Sequence, residues 1–171
     1  MRRFVNFYIV VAVISLTMLS LPALSDRRVA AADAKRAQGD SVVAKPVTVL
    51  VSAAFDRTDK PKRVNVYMVE GALITITAAA NDTWTLGPGA DRECNADGCP
   101  KFPNYGQFKY GALKGRFLTT GGAYSRWFVV GTSYQVSSPY TGWLELACHD
   151  DVYNDNKASI SVTVDLKRVG R

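Results

Sequence analysis

Short segments of alternating hydrophobicity constrain the fold of this chain more than any other feature. About eight such segments follow one another, rich in Val, Ile, Thr and Leu and separated by turns that contain Gly, Pro or Asn. They span residues 47–51, 64–69, 73–78, 111–117, 126–130, 133–136, 142–147 and 158–164. A period of two places successive side chains on opposite faces of a strand, and no segment has the period of a helix, so the pattern predicts an all-β fold. Short strands at regular spacing are typical of a jelly-roll-type β-sandwich.

The N-terminus has the layout of an export signal. Arg2 and Arg3 precede a long apolar run, and the small residues Ala23 and Ser25 are suited to a cleavage site. The run is also long enough to span a bilayer as an uncleaved anchor. The helix-breaking Pro22 directly before this site favours cleavage after Ser25, so we expect no stable membrane span in the mature chain. This layout predicts a secreted or periplasmic protein.

Three segments are therefore expected along the chain. Residues 1–25 form the signal peptide, residues 26–46 form a flexible tether, and residues 47–168 form a single domain. The full chain holds 21 basic and 15 acidic residues, which gives a formal net charge of +6. Because the basic residues are scattered, they are typical of a solvated surface, and we predict no binding of nucleic acid.

A polar section rich in Gly and Pro interrupts the strands between residues 81 and 105, and it contains two of the three cysteines. Cys94 and Cys99 bracket the short loop NADG and are the pair that we expect to form a disulfide in an exported protein. A zinc site is the rival interpretation, but it would need a fourth ligand and a different spacing. Cys148 is expected to face the core as a small apolar residue.

The segment CHDDVYNDNKASISVTV, residues 148–164, places a dense group of oxygen-bearing side chains directly before an alternating strand. This group contains Asp150, Asp151, Asn154, Asp155 and Asn156. Carboxylate and amide oxygens are the ligands that calcium prefers, and the ion takes about 6–8 of them. The alternative is a turn in which these side chains bind their own backbone. The spacing does not match an EF-hand, which also ends on a glutamate.

Four segments resemble, in order, the bacterial galactophilic (PA-I type) calcium-dependent lectins and their exported relatives. They are GALITITAAA at 71–80, GPGADRE at 87–93, GALKGR at 111–116 and WLELACHDDVYNDNKASISVTV at 143–164. The last segment is the most specific, because it joins two alternating strands and an acidic loop at fixed spacing. The resemblance covers nearly all of residues 47–166 and implies a small galactose-binding-like β-sandwich.

The resemblance also implies a set of calcium ligands. Asp150 matches the first carboxylate ligand, and Asp155 and Asn156 match two consecutive side-chain ligands. One backbone carbonyl is expected near Val152, and another near Thr83 or Trp84.

Sugar-contacting positions are less well matched. The family's histidine falls at Cys94 and its glutamine at Asp97, so Asp97 is a candidate for sugar hydrogen bonds while galactose specificity is not implied. Asp151 and Asn154 supply additional oxygens. Tyr153, with Trp84 and Tyr105, lies on a predicted loop and is a candidate for stacking on a sugar ring. The tryptophans within predicted strands, Trp127 and Trp143, are expected in the core.

These observations predict an exported protein that binds carbohydrate or glycoconjugates through loop-bound calcium. We expect no enzymatic activity, because His149 is the only histidine and no nucleophile motif is present. The alternative is a structural or adhesive envelope domain that has the fold, and calcium in a stiffening role, without sugar binding. The lectins of this family assemble as oligomers, so a homo-oligomer is an option for this chain.

Overall fold

The computed structural model describes residues 45–89 and 92–167. The predicted signal peptide at 1–25, nearly all of the predicted tether at 26–46 and the predicted last domain residue, 168, lie outside these residues and stay predictions. Regular structure in the described part consists of β-strands. Those residues include no helix with the length and apolar character needed to cross a membrane.

Thirteen strands are formed by the described residues. They are β1 (Val47–Ser52), β2 (Lys62–Met68), β3 (Leu73–Ala78), β4 (Trp84–Leu86), β5 (Glu93–Cys94), β6 (Asn104–Tyr105), β7 (Phe108–Lys109), β8 (Leu113–Thr119), β9 (Phe128–Val129), β10 (Ser133–Ser137), β11 (Gly142–Cys148), β12 (Asn156–Lys157) and β13 (Ser159–Lys167).

Two four-stranded antiparallel sheets enclose the core. The first has the strand order β1-β13-β3-β10, and the second has the order β2-β11-β8-β9. Val162 and Ile76 from the first sheet belong to the same buried cluster as Leu113 and Leu146 from the second. The predicted all-β sandwich is therefore confirmed, with the core between the two sheets.

The long strand β13 shows why these segments form strands. Its inward positions Ile160, Val162, Val164 and Leu166 are buried, and the residues between them are partly exposed. β-branched side chains suit this half-buried, pleated surface. Each fully buried aliphatic side chain of this kind contributes roughly 1.5–3 kcal/mol to folding.

The predicted polar section at 81–105 is more ordered than its composition indicated. It contains β4, β5 and β6, and β4 pairs with both β5 and β12 to form a small third sheet. Trp84 is fully buried, and its indole Nε1 donates to the Gly111 carbonyl at 3.0 Å. The prediction that Trp84 serves as an exposed stacking residue is therefore wrong. Strands of two or three residues are too short to show a period in sequence.

The disulfide between Cys94 and Cys99 is present, and Cys148 is a free, buried cysteine, both as predicted. Gly111 packs on this disulfide with a positive φ of 75°. A Cβ atom at Gly111 would lie 2.8 Å from Cys99 Sγ and 3.0 Å from Cys94 Sγ. Only glycine fits such a close approach, which accounts for the first residue of the GALKGR segment.

The outer face of the first sheet is lined mainly by small hydroxyl residues and is called here the hydroxyl face. Thr48, Thr163, Thr77 and Ser133 lie in register across its four strands. Thr48 and Thr163 are joined by a hydrogen bond of 3.0 Å between their Oγ1 atoms.

The outer face of the second sheet has a different composition and is called here the aromatic face. Its defining residues are Arg63, Tyr67, Arg116, Tyr124, Trp143 and Glu145. Register places Arg63, Glu145 and Arg116 side by side on three neighbouring strands, and Tyr67 opposite Trp143. The prediction that Trp127 and Trp143 lie in the core is wrong, because both are half-buried and contact cations of this face.

Candidate functional site

The acidic loop, residues 150–156, connects β11 to β12 and is closed by its own hydrogen bonds. Asp150 is only 5% exposed. Its Oδ1 accepts from the backbone N–H groups of Asp151 at 2.7 Å and Val152 at 3.3 Å. This part of the loop therefore forms the turn that the sequence analysis gave as the alternative to a calcium site, in which a side chain binds its own backbone.

The buried Asn156 side chain faces Asp150 across the base of the loop. Its Nδ2 donates to Asp150 Oδ2 at 2.6 Å and to the Ala53 carbonyl at 3.1 Å. Its Oδ1 is buried and has no hydrogen-bond partner among the described residues. A buried polar atom without a partner is uncommon and costs about 1–3 kcal/mol.

The oxygens around this amide fit a hard cation. The two ends of an amide have the same shape, so rotating the Asn156 side chain by half a turn places Oδ1 where Nδ2 lies. Oδ1 would then face the Asp150 carboxylate and the Ala53 carbonyl, and three oxygens would converge. Such an arrangement repels itself unless a cation lies between the oxygens, and calcium accepts this mixture of carboxylate, amide and backbone ligands.

Asp155 lies on the other side of the loop from Asn156. Its Oδ2 is 2.7 Å from the position that a Cβ atom would take on Gly87, which has a φ of 83°. A cleft of about 500 Å³ opens here. It is lined by Thr85, Gly87, Pro88, Gly89, Asp155 and Lys157.

The structure therefore brings together only part of the ligand set that the resemblance implied. Asp150 and Asn156 are in contact, but within the described residues no three His, Cys, Asp or Glu side chains cluster as at a metal site. The side chain of Val152 is 49% exposed. Trp84, whose carbonyl was expected to serve as a ligand, lies in β4 next to β12.

Asp151 is exposed and is held by a tyrosine from the loop before β8. The Tyr110 hydroxyl donates to Asp151 Oδ1 at 2.9 Å. This hydrogen bond lowers the pKa of Asp151. Burial, together with the carboxylates of Asp150 and Asp151, raises the pKa of Tyr110 well above its ordinary value. Asp151 is thus ionised at neutral pH and fastened to the body of the domain.

A buried polar network supports the acidic loop from behind. The Lys114 ammonium donates to Thr58 Oγ1 at 2.6 Å and to His149 Nδ1 at 3.1 Å. Thr58 Oγ1 is in turn 2.9 Å from the Tyr153 hydroxyl. Lys114 is only 2% exposed, and this burial lowers its pKa to about 8. Tyr153 is therefore an anchor of the loop as well as a candidate sugar contact.

A second cleft, of about 560 Å³, lies between the loop after β1 and the acidic loop. Its lining residues are Ser52, Ala54, Phe55, Tyr153, Asn154, Asn156, Lys157, Ala158 and Ser159. Phe55 is 77% exposed, the most exposed large apolar side chain in the described part of the chain. Sequence reasoning missed Phe55, although an aromatic residue in the turn SAAFD directly after a strand was a usable signal.

The two positions that match the family's sugar contacts have structural roles here. Cys94 is buried in the disulfide. Asp97 accepts hydrogen bonds from Thr132, with 2.7 Å to the backbone N–H and 3.1 Å to the hydroxyl. The Asp97 carboxylate therefore binds the loop that precedes β10, and it is not brought next to the Asp150–Asn156 contact.

Comparisons with known proteins give matches to solved structures only. No protein-family model and no curated protein sequence matches the chain. Eight solved chains match, among them one described as "EclA N-terminal domain; PllA-like lectin". That match has 23% sequence identity and a TM-score of 0.49, and it covers 72% of this chain and 97% of that chain. A likeness of this degree does not by itself assign a function.

Proposed function

We propose that this protein is an exported carbohydrate-binding protein whose binding cleft lies beside the acidic loop and depends on calcium. The observation that carries the proposal is the contact between Asp150 and Asn156. There the Asn156 amide meets a buried carboxylate and a backbone carbonyl at the edge of a cleft with an exposed aromatic ring, and its own oxygen has no hydrogen-bond partner among the described residues.

Calcium would be held first by Asp150, Asn156 and the Ala53 carbonyl. The remaining ligands in the proposal are those that the resemblance supplies, namely Asp155 and the carbonyls near Val152 and Trp84. A bound calcium ion supplies positive charge and coordination positions that hydroxyl oxygens of a sugar can fill. The residues of the chain would orient the sugar and exclude water from one of its faces.

The cleft residues are suited to a sugar ring. Phe55 offers an exposed apolar face, on which the C–H groups of a sugar can lie. Asn154 and Ser159 line the same cleft and supply an amide and a hydroxyl that both donate and accept. An apolar platform with a few polar groups at its edge is the usual composition of a small-ligand site.

The proposal is tested by measuring glycan binding with calcium and with chelator. We expect binding in calcium only, and we expect Phe55→Ala to weaken it about tenfold, which corresponds to the loss of one aromatic contact. Leu50→Ala is the matched control, because Leu50 is also well exposed, at 63%, but lies on β1 outside the cleft. Equal weakening by both variants would contradict the assignment of the cleft.

A structural or adhesive role is the second candidate, and one observation favours it. Asp150 Oδ1 is already satisfied by the loop's own N–H groups. In that case calcium would only stiffen the loop, and the measurement described above would find no glycan that binds in a calcium-dependent way.

A further inference from the structure

The aromatic face carries a charged group whose burial is unusual for the outside of a sheet. Glu145 points away from the core, yet it is only 4% exposed. Two guanidinium groups cover it, with Arg116 Nη2 at 2.9 Å and Arg63 Nη2 at 3.4 Å from its carboxylate oxygens. Because ion pairs that lose their hydration are stabilised only by good geometry, this arrangement fixes both arginines in place.

Aromatic rings hold the same two arginines from the other sides. The Arg116 guanidinium carbon lies 3.9 Å from the ring centre of Tyr124 and 4.6 Å from that of Trp127. Arg63 lies over Trp143 at 5.7 Å. Tyr67 meets Trp143 edge to face, with ring centres 5.3 Å apart. The face is therefore pre-organised, and little side-chain freedom remains to be lost when a ligand binds.

The face keeps both exposed rings and uncompensated positive charge. Tyr67 is 46% exposed, Tyr124 is 55% exposed, and the side chain of Arg63 is 51% exposed. The two arginines share one carboxylate, which leaves one positive charge on the face. The hydroxyl face, by contrast, carries neither aromatic rings nor paired arginines among its four in-register residues.

We propose that the aromatic face is a second binding site, separate from the acidic loop, for a polysaccharide with carboxylate groups, such as a polyuronate. The guanidinium groups of Arg63 and Arg116 converge on the Glu145 carboxylate and form one cationic centre. Arg63, the more exposed of the two, can meet a carboxylate of the polysaccharide. A guanidinium can donate several hydrogen bonds to one carboxylate, as Arg116 does through Nε and Nη2 to Glu145 Oε2. Tyr67 and Tyr124 would support the sugar rings beside these charges.

The shape and charge of the face favour a glycan over a nucleic acid. Nucleic-acid affinity rests on many phosphate contacts, whereas only a few cations lie here. The edge-to-face geometry of Tyr67 and Trp143 does not form parallel slots that bases could enter. The site does not need calcium, so it is independent of the function proposed above.

The test is a titration of the purified protein with polygalacturonate in the presence of chelator. Binding is expected to weaken as salt concentration rises. Arg63→Gln and Tyr67→Ala should each weaken it about tenfold, and both residues are exposed enough for the variants to fold. Thr77→Ala on the hydroxyl face and Phe55→Ala in the cleft serve as controls and should leave binding unchanged.

Three results would overturn the proposal. One is the absence of polygalacturonate binding in chelator at low salt. Another is tighter binding of single-stranded DNA than of polygalacturonate. The third is concentration-dependent self-association that Tyr67→Ala abolishes, which would assign the face to a contact between two copies of the chain. Loss of calcium-dependent glycan binding at the cleft would leave this proposal intact.

Discussion

The outer faces of the two sheets follow the same alternation rule and carry different chemistry. On the first sheet, the outward positions are mostly threonine and serine. Threonine suits a strand, and hydroxyl groups on an exposed face keep their hydrogen bonds to water. On the second sheet, the outward positions hold arginines, aromatic rings and an almost fully buried Glu145. A sheet needs only the first kind of face in order to fold. The difference teaches that the second face carries a cost in desolvation that stability alone does not explain.

The carboxylates of the two faces should respond very differently to neutralisation. Glu145→Gln removes the charge that Arg63 and Arg116 share, and we expect a loss of about 3 kcal/mol in the free energy of unfolding, because the largely buried Arg116 guanidinium loses its anionic partner. Asp165→Asn is the matched control. Asp165 lies on the outer face of the first sheet, where its Oδ2 is 4.0 Å from Lys167 and its Oδ1 has no hydrogen-bond partner among the described residues, so its charge is not held by a close ion pair. We expect less than about 0.5 kcal/mol there. Denaturant unfolding measures the free energy of unfolding of both variants. Similar losses in the two would contradict the claim that the two faces differ.

A second difference concerns pH and the buried Lys114. Burial lowers its pKa from 10.5 to about 8, so between these values the unfolded chain holds a proton that the folded chain has released. The stability contribution of this lysine therefore rises between pH 8 and pH 10.5, on the order of 2 kcal/mol once the shift is discounted for screening by solvent. It is present in full above pH 10.5 and is lost as the pH falls through 8.

The comparison of wild type with Lys114→Met isolates this effect. Burial raises the pKa of the Cys148 thiol and of Tyr153, which opposes the trend at high pH, but these groups are present in both proteins. Denaturant unfolding at a series of pH values should show that the free energy of unfolding of the wild type rises relative to that of the variant from pH 8 upward. A difference that does not change with pH would show that Lys114 is not desolvated as described.

A smaller effect is expected from the stacking of Arg116. Tyr124→Leu keeps an apolar side chain but removes the ring that lies 3.9 Å from the guanidinium carbon, and we expect a loss of about 1 kcal/mol. Tyr140→Leu is the control, since Tyr140 is similarly exposed and its ring contacts Phe117 at 6.1 Å. Thermal unfolding should separate the two variants by a few degrees, with the Tyr124 variant lower.

The smallest effect is expected on the hydroxyl face. Thr163→Val removes the hydrogen bond between Thr48 and Thr163 and leaves a β-branched side chain in the strand. We expect the free energy of unfolding to change by no more than about 0.5 kcal/mol in either direction, because an exposed hydrogen bond is replaced by hydrogen bonds to water. A loss of more than 2 kcal/mol in denaturant unfolding would mean that this face has a role that its composition does not indicate.

The sequence predicted the long strands well, because alternation over five or more residues has a single physical cause. All eight predicted segments overlap strands of the two sheets. It did not predict the short strands β4 to β7 and β12, among which the pairing of β4 with β5 sets the buried Trp84 opposite the disulfide residue Cys94. Alternation assigns residues to two faces, but it does not tell which face an aromatic residue takes when charged neighbours cover it. For this reason Trp84, which was predicted to lie on an exposed loop, is buried, and Trp143, which was predicted to lie in the core, is on the outer face.

The candidate site was predictable in its composition but not in its geometry. The sequence located the oxygen-rich loop and both residues of the Asp150–Asn156 contact. It did not show that Asp155 faces the Gly87 turn, because the direction of each side chain depends on the backbone of the loop. The Ala53 carbonyl and Phe55 lie about 100 residues earlier in the chain than the acidic loop. Contacts of such separation leave no local pattern.

The calcium dependence of unfolding in Asn156→Asp tests the central claim most directly. A carboxylate at position 156 would lie about 2.6 Å from Asp150 Oδ2, so in chelator the variant should unfold at a lower temperature than the wild type. Calcium should raise the midpoint of the wild type with its concentration and restore most of the loss in the variant. Asn154→Asp adds the same charge at an exposed position and should show little change. If Asn156→Asp loses equal stability with and without calcium, and the wild type does not shift, the calcium site is contradicted.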